Sequence, residues 1–433
     1  VEFIKKHKPL LSVIGFSFIP IVIWLAVFGL GKALKTPGTA IASLGKAVAL
    51  SGTTIYCLNP ILSLRSKRIE RYFGGLDKTT SAHMFMGKLA FWLILGHPIF
   101  LGLGRLVNGK SLGTIWDWSS LVIFLGILAF IGLIAVTGAT IYAHLKHQKW
   151  VFIHRLFGWL LPLFFLHGLL ARGQIVQIPA LLVFFLLVGG VGFTAFLYRS
   201  VLWRQLVKRY EYELVEIHRL NPLVSEIVLK ARGRRMHFEA GQFAYVSFET
   251  EGADPEPHPF SFSNAHNGPY IRFTIKALGD DTRKFMYLPV GATVFLEGPY
   301  GEFSYKKVNN RSQVWIAGGI GITPFLSMAR SFTERGAFDI RFFYGTKSLH
   351  EAIFLQEFID ITRAIPYNFR TTVVTQNFSG LITINMLKKS LYDLQNFDYL
   401  ICGPPGMMET LTAQLLAEGI SPEKIHTEAF KIR

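Results

Sequence analysis

The pattern of hydrophobic and polar positions divides the chain into two textures. Between about residues 9 and 203 run six nearly unbroken apolar stretches, at about 9–31, 37–64, 80–104, 118–143, 152–171 and 179–203. Each is near or above the ~20 residues that a helix needs to cross the hydrocarbon core of a bilayer. The first stretch follows Lys5, Lys6 and Lys8, as a signal peptide would. Its apolar run exceeds the ~7–15 residues of a signal core, and five more stretches follow, so it reads as a retained helix. Val1 in place of Met suggests a trimmed chain. From about residue 205 the runs become short. Ala244–Phe248, Ile271–Ile275 and Thr293–Leu296 read as strands bounded by turn residues. From about 311, Val314–Ala317, Ile340–Tyr344, Thr371–Val374 and Tyr399–Cys402 alternate with helix-like segments, the pattern of a parallel α/β layer. The expected division is therefore 1–204 for a six-helix membrane domain, 205–308 for a β-rich domain and 309–433 for an α/β domain.

Composition sharpens this picture. The 433 residues are 51% hydrophobic and 17% charged, against ~25% charged in average soluble domains. A wholly soluble or a disordered protein is excluded. Two cysteines, Cys57 and Cys402, exclude a disulfide framework and any Cys-based zinc or iron–sulfur site. The net charge of +17 is uneven: residues 1–204 hold only four acids, Glu2, Glu70, Asp77 and Asp117, whereas the second half is nearly neutral. A basic excess confined to the apolar half is membrane-flanking charge, and no nucleic-acid-reading element accompanies it. Fifteen Lys and Arg fall in the segments 5–8, 65–78, 146–155 and 199–209, on one side of the six crossings. Five fall on the other side: Lys32, Lys35, Arg105, Lys110 and Arg172. The positive side faces the cytoplasm, which places both termini and the second half there, in a multi-pass protein of the cell membrane.

Four of the 13 histidines lie inside the apolar stretches, His83 and His97 in the third, His154 and His167 in the fifth. Ionisable groups at membrane depth are costly and usually functional. His83 and His97, 14 apart, fall about 40° short of four helical turns and roughly 21 Å apart in rise, so both face one neighbour. His154 and His167 fall about 140° short, with Gly158 and Pro162 between them to adjust the phase. The third and fifth stretches run in the same direction. His83 is thus level with His154, and His97 with His167. One such histidine alone reads as a bundle hydrogen-bonder. Four, paired at two depths, suit two haems, each held by two imidazoles. A histidine-lined metal transporter is the competing reading, although these stretches lack the carboxylates it would use. His144 and His147 read as loop residues.

In the second half the sharpest motif is Gly318-Gly319-Ile320-Gly321-Ile322-Thr323-Pro324, directly after an apolar run. Glycines let a backbone approach a pyrophosphate, and Thr323 is expected to cap the next helix with Pro324 at its first position. The sixth-position glycine of the Rossmann fingerprint is absent. Lys347, after the second strand of this domain, suits a ribose 2′-phosphate or simply solvent. Cys402-Gly403-Pro404 follows another strand, Cys402 reading equally as a buried structural thiol or as a neighbour of a nicotinamide. His258-Pro259-Phe260-Ser261-Phe262-Ser263 offers hydroxyls and aromatics on an alternating strand, suited to a flavin's edge and ring or to any amphipathic strand.

Together these motifs resemble the NADPH oxidase family within the ferric reductase superfamily, over nearly the whole chain, and look close to its bacterial members. The resemblance implies a six-helix transmembrane haem domain fused to a cytoplasmic ferredoxin-reductase-like module, an FAD-binding β-barrel plus an α/β NADPH-binding domain. It implies that His83 and His154 bind an inner b-type haem and His97 and His167 an outer one. By the same resemblance His258, Pro259, Phe260, Ser261 and Ser263 form the flavin motif, with the Ser261 hydroxyl near flavin N5. Lys276 and Thr282, in a basic-x-x-Gly-Asp-x-Thr segment, hold the flavin pyrophosphate. Glu297–Gly301 matches a Gly-Pro-Tyr-Gly turn of the family. Gly318, Gly319, Gly321, Thr323 and Pro324 form the NADPH loop, and Lys347 meets the 2′-phosphate, with NADH left open because one lysine carries that choice. Cys402 and Gly403 lie at the hydride-transfer site, and Phe430 shields the flavin ring. The implied activity is electron transfer from NADPH through FAD and two haems to extracellular O2, giving superoxide, with the bilayer as its surroundings and no obligatory protein partner. Arg105, Lys110 and Arg172 would serve the outer propionates or the anionic product, or merely flank the membrane, and Arg155 would serve an inner propionate. No Asp/Asn-rich EF-hand loop and no long N-terminal domain accompany the match, so constitutive activity is expected. A ferric or cupric reductase of the same superfamily, and a transporter with a regulatory nucleotide-binding domain, remain the alternatives.

Overall fold

The computed structural model describes residues 2–113, 120–170, 174–249, 257–265, 268–332 and 338–429. The chain divides into two compact units between Leu206 and Val207, with residues 74–77 grouped with the second.

Among the described residues of the first unit, six helices are long and apolar enough to cross a membrane: Lys8–Phe28, Pro37–Leu62, Leu76–Val107, Leu121–Tyr142, His147–Leu170 and Pro179–Leu202. They are called the first to sixth spans. The first is interrupted at Phe18, because Pro20 brings no N–H to the ladder. The second starts on a reciprocal cap in which the Thr36 hydroxyl accepts from the Thr39 amide and the Thr39 hydroxyl from the Thr36 amide, at 3.2 and 2.7 Å. The third, at 32 residues, is longer than its apolar run, since it recruits the polar turn Leu76–Thr80. The fifth is one continuous helix with Pro162 inside it. The sixth ends through a π-helical turn, Tyr198–Leu202.

Small residues bring these helices together. A Cβ on Gly52 would lie 2.9 Å from the Leu93 Cβ, and one on Gly104 would lie 2.6 Å from the Gly38 carbonyl oxygen, so the second and third spans nearly touch backbones. A Cβ on Gly192 of the sixth span would meet the Cys57 carbonyl group of the second. The second span is therefore in contact with helices on two sides.

The second unit contains two sheets. Strands β1 (Tyr210–Asn221), β2 (Val224–Ala231), β3 (Phe243–Glu249), β4 (His258–Ser261), β5 (Tyr270–Lys276) and β6 (Thr293–Tyr300) form an antiparallel sheet in the order β4-β3-β6-β1-β2-β5. A Phe262–Phe273 bridge links its two edges, so the sheet closes as a barrel. Its interior holds Leu214, Ile227, Leu229, Val246, Phe262 and Phe273 among others. Strands β1 and β2 are additional to the four expected in this region.

Five parallel strands, β7 (Ser312–Gly318), β8 (Asp339–Thr346), β9 (Phe369–Thr375), β10 (Asp398–Cys402) and β11 (Ile425–Glu428), follow in the order β11-β10-β7-β8-β9. Four of them are the expected runs. The helices used below are α1 (Thr323–Arg330), α2 (Leu355–Ala364) and α3 (Pro405–Ala417). The strand order reverses between β7 and β10, so the crevice beyond their carboxyl ends is the topological switch point at which such sheets take ligands.

Candidate functional site

The four histidines of the third and fifth spans lie on helices that hold their rings in defined orientations. His83 Nδ1 lies 3.0 Å from the Asn59 carbonyl oxygen, and His97 Nδ1 lies 2.9 Å from that of Gly45, both on the second span. His167 Nδ1 lies 2.8 Å from the Val122 carbonyl oxygen on the fourth span. A carbonyl only accepts, so each Nδ1 carries the proton and each Nε2 presents its lone pair. This is the arrangement that prepares an imidazole to ligate a metal. Asn59 is available as an acceptor because it lies among the last four residues of its helix, whose carbonyls lack intrahelical partners. Glycine admits His167: a Cβ on Gly126 would lie 2.6 Å from the ring Cε1.

The His83 and His154 ring centres are 6.0 Å apart at 63°. Two imidazoles that share one iron through bonds of about 2 Å hold their centres about 6 Å apart, so this pair fits a haem iron. His154 also stacks on Trp150, 4.7 Å between centres at 13°. His97 and His167 lie near enough to interact electrostatically. Among the described residues no three His, Cys, Asp or Glu side chains converge on one point.

One cation in this region was not singled out from the sequence. Lys46 follows Gly45 on the second span, and its ammonium lies 5.2 Å from the Phe28 ring centre. Half-buried, it sits beside the carbonyl that orients His97. Its signal was a lone lysine inside an apolar run. Arg105 donates from Nε to the Ser111 carbonyl at 3.1 Å. Arg155 is exposed, and Arg172 lies outside the described residues.

The flavin motif divides across the two faces of β4. Phe260 and Phe262 turn inward, with Phe262 fully buried and stacked on Phe238 at 3.8 Å, and Phe260 packed against the same core. Phe260, expected beside the flavin ring, is half-buried on β4. Pro259, Ser261 and Ser263 take the opposite face. The Ser261 hydroxyl is buried with no hydrogen-bond partner among the described residues. A buried polar atom in that state suits the polar edge of a bound flavin. The Ser263 hydroxyl is already committed, donating to Glu226 at 3.1 Å. Thr282 is committed likewise: its hydroxyl accepts from the Leu278 and Gly279 amides, both at 2.9 Å, and shapes that turn.

At the switch point β7 runs into the turn Gly319–Ile322. Gly319 has φ +54 and, among the described residues, nothing within 4 Å of where its Cβ would stand, so its backbone lies open to a ligand. Gly321 has no such room. A Cβ there would meet the Cys402 carbonyl group, its carbon at 2.7 Å, and Gly403 Cα at 2.8 Å. Thr323 does not cap α1. The preceding turn has already formed the helix start, with Ile322 at the cap position, and the Thr323 hydroxyl bonds back to the Ile320 carbonyl at 3.2 Å. Pro324 stands in the first turn. A cavity of about 200 Å³ is lined by Gly319, Ile320, His350, Glu351 and Lys276. Lys276, expected at a flavin pyrophosphate, thus borders the dinucleotide loop. Lys347 is exposed just after β8, and His258 is half-buried on β4. Cys402 ends β10 with 1% exposure. Burial first, and then the charge of Glu428, push its thiol well above the ordinary range, so it is a neutral group and not a nucleophile. Phe430 lies outside the described residues.

A partly buried ion network connects the two sheets. Arg330, the last residue of α1, forks onto Glu357 of α2 at 2.7 and 2.9 Å. Its Nη1 reaches Glu226 of β2 at 3.2 Å and the Ser263 carbonyl at 2.6 Å. Arg272 of β5 donates to the other Glu226 oxygen at 2.9 Å.

Comparison with known proteins agrees with this geometry. Residues 210–304 match the family model of an FAD-binding domain, and residues 315–413 match that of an oxidoreductase NAD-binding domain. A ferredoxin–NAD(P)(+) reductase component of naphthalene 1,2-dioxygenase/salicylate 5-hydroxylase systems from a Ralstonia species is 28% identical over 206 residues, 45% of this chain and 61% of that protein. A flavohemoprotein from Vibrio cholerae is 27% identical over 208 residues, 46% of this chain and 52% of that protein. The chain thus spans between half and two thirds of the length of these curated relatives. The crystal structure of a flavohemoglobin from Malassezia yamatoensis with bound FAD and heme covers 91% of this chain and 98% of its own, at TM-score 0.51 and 18% identity, a likeness of fold. An FAD-binding domain followed by an oxidoreductase NAD-binding domain, behind six helices long and apolar enough to cross a membrane, is the domain arrangement of the NADPH oxidase and ferric reductase family.

Proposed function

We propose that the protein is a transmembrane NADPH oxidase. It would move electrons from cytoplasmic NADPH through FAD and two b-type haems to O2 on the far side of the membrane, with superoxide as product. The observation that carries this reading is the hydrogen-bonding pattern of the imidazoles on the third and fifth spans. His83, His97 and His167 each give Nδ1–H to a neighbouring carbonyl and keep Nε2 free as a lone-pair donor. A structural hydrogen-bonding histidine has no need of a free nitrogen at membrane depth, whereas an axial haem ligand does.

When bound, the flavin supplies the conversion from paired to single electrons. The chain's own residues have narrower tasks. Ser261 would hold the polar edge of the ring, and Gly319 with its neighbours would receive the pyrophosphate. Lys347 would meet a 2′-phosphate. Cys402 would fill the space beside the nicotinamide as a neutral, water-excluding thiol. The one-sided distribution of Lys and Arg supports cytoplasmic termini, and the division 1–204, 205–308 and 309–433 assigns haem, FAD and NADPH to successive domains.

The test is a dithionite-reduced minus oxidised spectrum of the purified chain, with haem and flavin quantified. Two haems and one flavin per chain are expected, and a preparation without haem overturns the reading. Dye reduction suppressed by superoxide dismutase identifies the oxidase, whereas chelator-trapped Fe(II) formed at a comparable rate identifies a metalloreductase.

A further inference from the structure

Strand β2 is buried on both faces. Ile227 and Leu229 belong to the barrel core, whereas Val224 packs into the core of the α/β layer. Glu226 shares the second face and is 3% exposed. A carboxylate buried between two layers is costly unless it is paired. It has three donors: Arg272 on one oxygen, and Arg330 with the Ser263 hydroxyl on the other.

Arg330 does more than neutralise it. Four of its five N–H groups are used, two on Glu357, one on Glu226 and one on the Ser263 carbonyl. One turn earlier on α1, Ser327 donates to the Asn264 carbonyl at 2.8 Å. Helix α1 is thus fixed at its C-terminal end to the backbone that leaves the flavin strand. Its other end begins where the dinucleotide loop stops, about 12 Å away at 1.5 Å per residue.

We infer that Arg330 is a positioning residue for hydride transfer, its guanidinium fixing helix α1 to the end of the flavin strand and thereby setting the distance between the nicotinamide and flavin rings. The inference rests on the nicotinamide-to-flavin step of the proposed function and on none of the haem or oxygen steps. In that step the nicotinamide C4–H bond breaks and a flavin N5–H bond forms, the hydride carrying both electrons. Such transfers need near-contact geometry, and a displacement of about 1 Å costs on the order of 10²-fold in rate. A lysine cannot replace the fork, because an ammonium is a point donor with no bidentate plane. Arg272 and Ser263 still hold Glu226 when Arg330 is lost, so the barrel keeps its fold.

The experiment uses the full chain, under anaerobic conditions. Flavin bleaching is followed after mixing with saturating NADPH. Separately, the long-wavelength charge-transfer absorbance is read when NADP⁺ is added to dithionite-reduced protein, a signal of ring stacking that needs no turnover. Arg330→Met is expected to slow bleaching by roughly 10- to 100-fold and to weaken the charge-transfer band, with flavin content unchanged. Arg330→Lys should recover only part of either signal, and Ser327→Ala should fall between Arg330→Met and wild type. Glu226→Gln, of the same volume, should move both signals in the same direction and serves if Arg330→Met does not fold. Variants with wild-type bleaching and band overturn the inference, as does a rate that falls only in proportion to flavin lost. A wild-type chain whose flavin neither NADPH nor NADH bleaches overturns the underlying reading as well, and is told apart by its failing before any substitution is made.

Discussion

A single methyl group placed on the fourth span tests the haem reading directly. The Cβ of Gly126→Ala would stand 2.6 Å from His167 Cε1 and 2.7 Å from Nδ1. Ordinary contacts between such atoms are ~3.5–4.0 Å, so the ring must retreat by about 1 Å. The Nδ1 hydrogen bond to Val122, now 2.8 Å, then opens to about 3.8 Å, beyond hydrogen-bonding range. In folding terms the loss is ~1 kcal/mol, and the moving atoms are the end of a side chain, so the helix bundle survives. In ligand terms the loss is larger, since removing an outer-shell partner typically costs ~10- to 100-fold in metal affinity. The assay is haem per chain by pyridine haemochrome, together with a spectroelectrochemical titration. One haem should fall in occupancy or shift in potential while the other stays as it was. Gly138→Ala on the same helix is the control, because no atom of the described residues lies within 4 Å of its Cβ position. Two full haems with unaltered potentials in Gly126→Ala would refute the assignment of His167 to iron.

Ser261→Ala removes a buried hydroxyl that lacks a partner among the described residues, so flavin-free protein should be no less stable in urea, or more stable by up to ~1–3 kcal/mol, while flavin reduction by NADPH slows. If the rate stays at the wild-type value, Ser261 does not touch the flavin. Gly321→Ala drives a methyl into the Cys402–Gly403 backbone, which should cost about 1–3 kcal/mol and raise the KM for NADPH; an unchanged unfolding midpoint would show that the approach is looser than described. Cys402 has its pKa raised above the ordinary 9.0, so its contribution to stability is complete below pH ~9 and declines above that by up to ~1.4 kcal/mol per pH unit until the folded-state pKa is reached. Unfolding titrations from pH 8 to 10.5 should show this slope in wild type and a shallower one in Cys402→Ala. In the native protein at pH 8 the same thiol should resist iodoacetamide.

What could be read from the sequence follows from how local each signal is. A membrane span declares itself over about 20 consecutive residues, and His83, His97, His154 and His167 stand out against that background. Their pairing by depth needed only the direction of each crossing. The four expected α/β strands were apolar runs beside glycine-rich turns, equally local. Thr323 was misassigned because a 3₁₀ turn ahead of α1 shifted the helix start by one residue. The Glu226, Ser263, Arg272, Arg330 and Glu357 network gave no warning. Its members come from β2, the end of the flavin strand, β5, α1 and α2, and only the closed barrel against the α/β layer brings them together.

The second span provides the acceptors for both imidazoles of the third. Gly45 and Asn59 are separated by the same interval as His97 and His83, on helices that run in opposite directions. The pair behaves as a ladder with two rungs cut to one gauge. Inserting one residue between Gly45 and Asn59 would turn one rung by about 100° and slide it by about 1.5 Å relative to the other, so no single realignment of the rails would restore both. Length variation between these positions is thereby forbidden by mechanics alone, whereas the same insertion at the chain's surface turns would pass unnoticed.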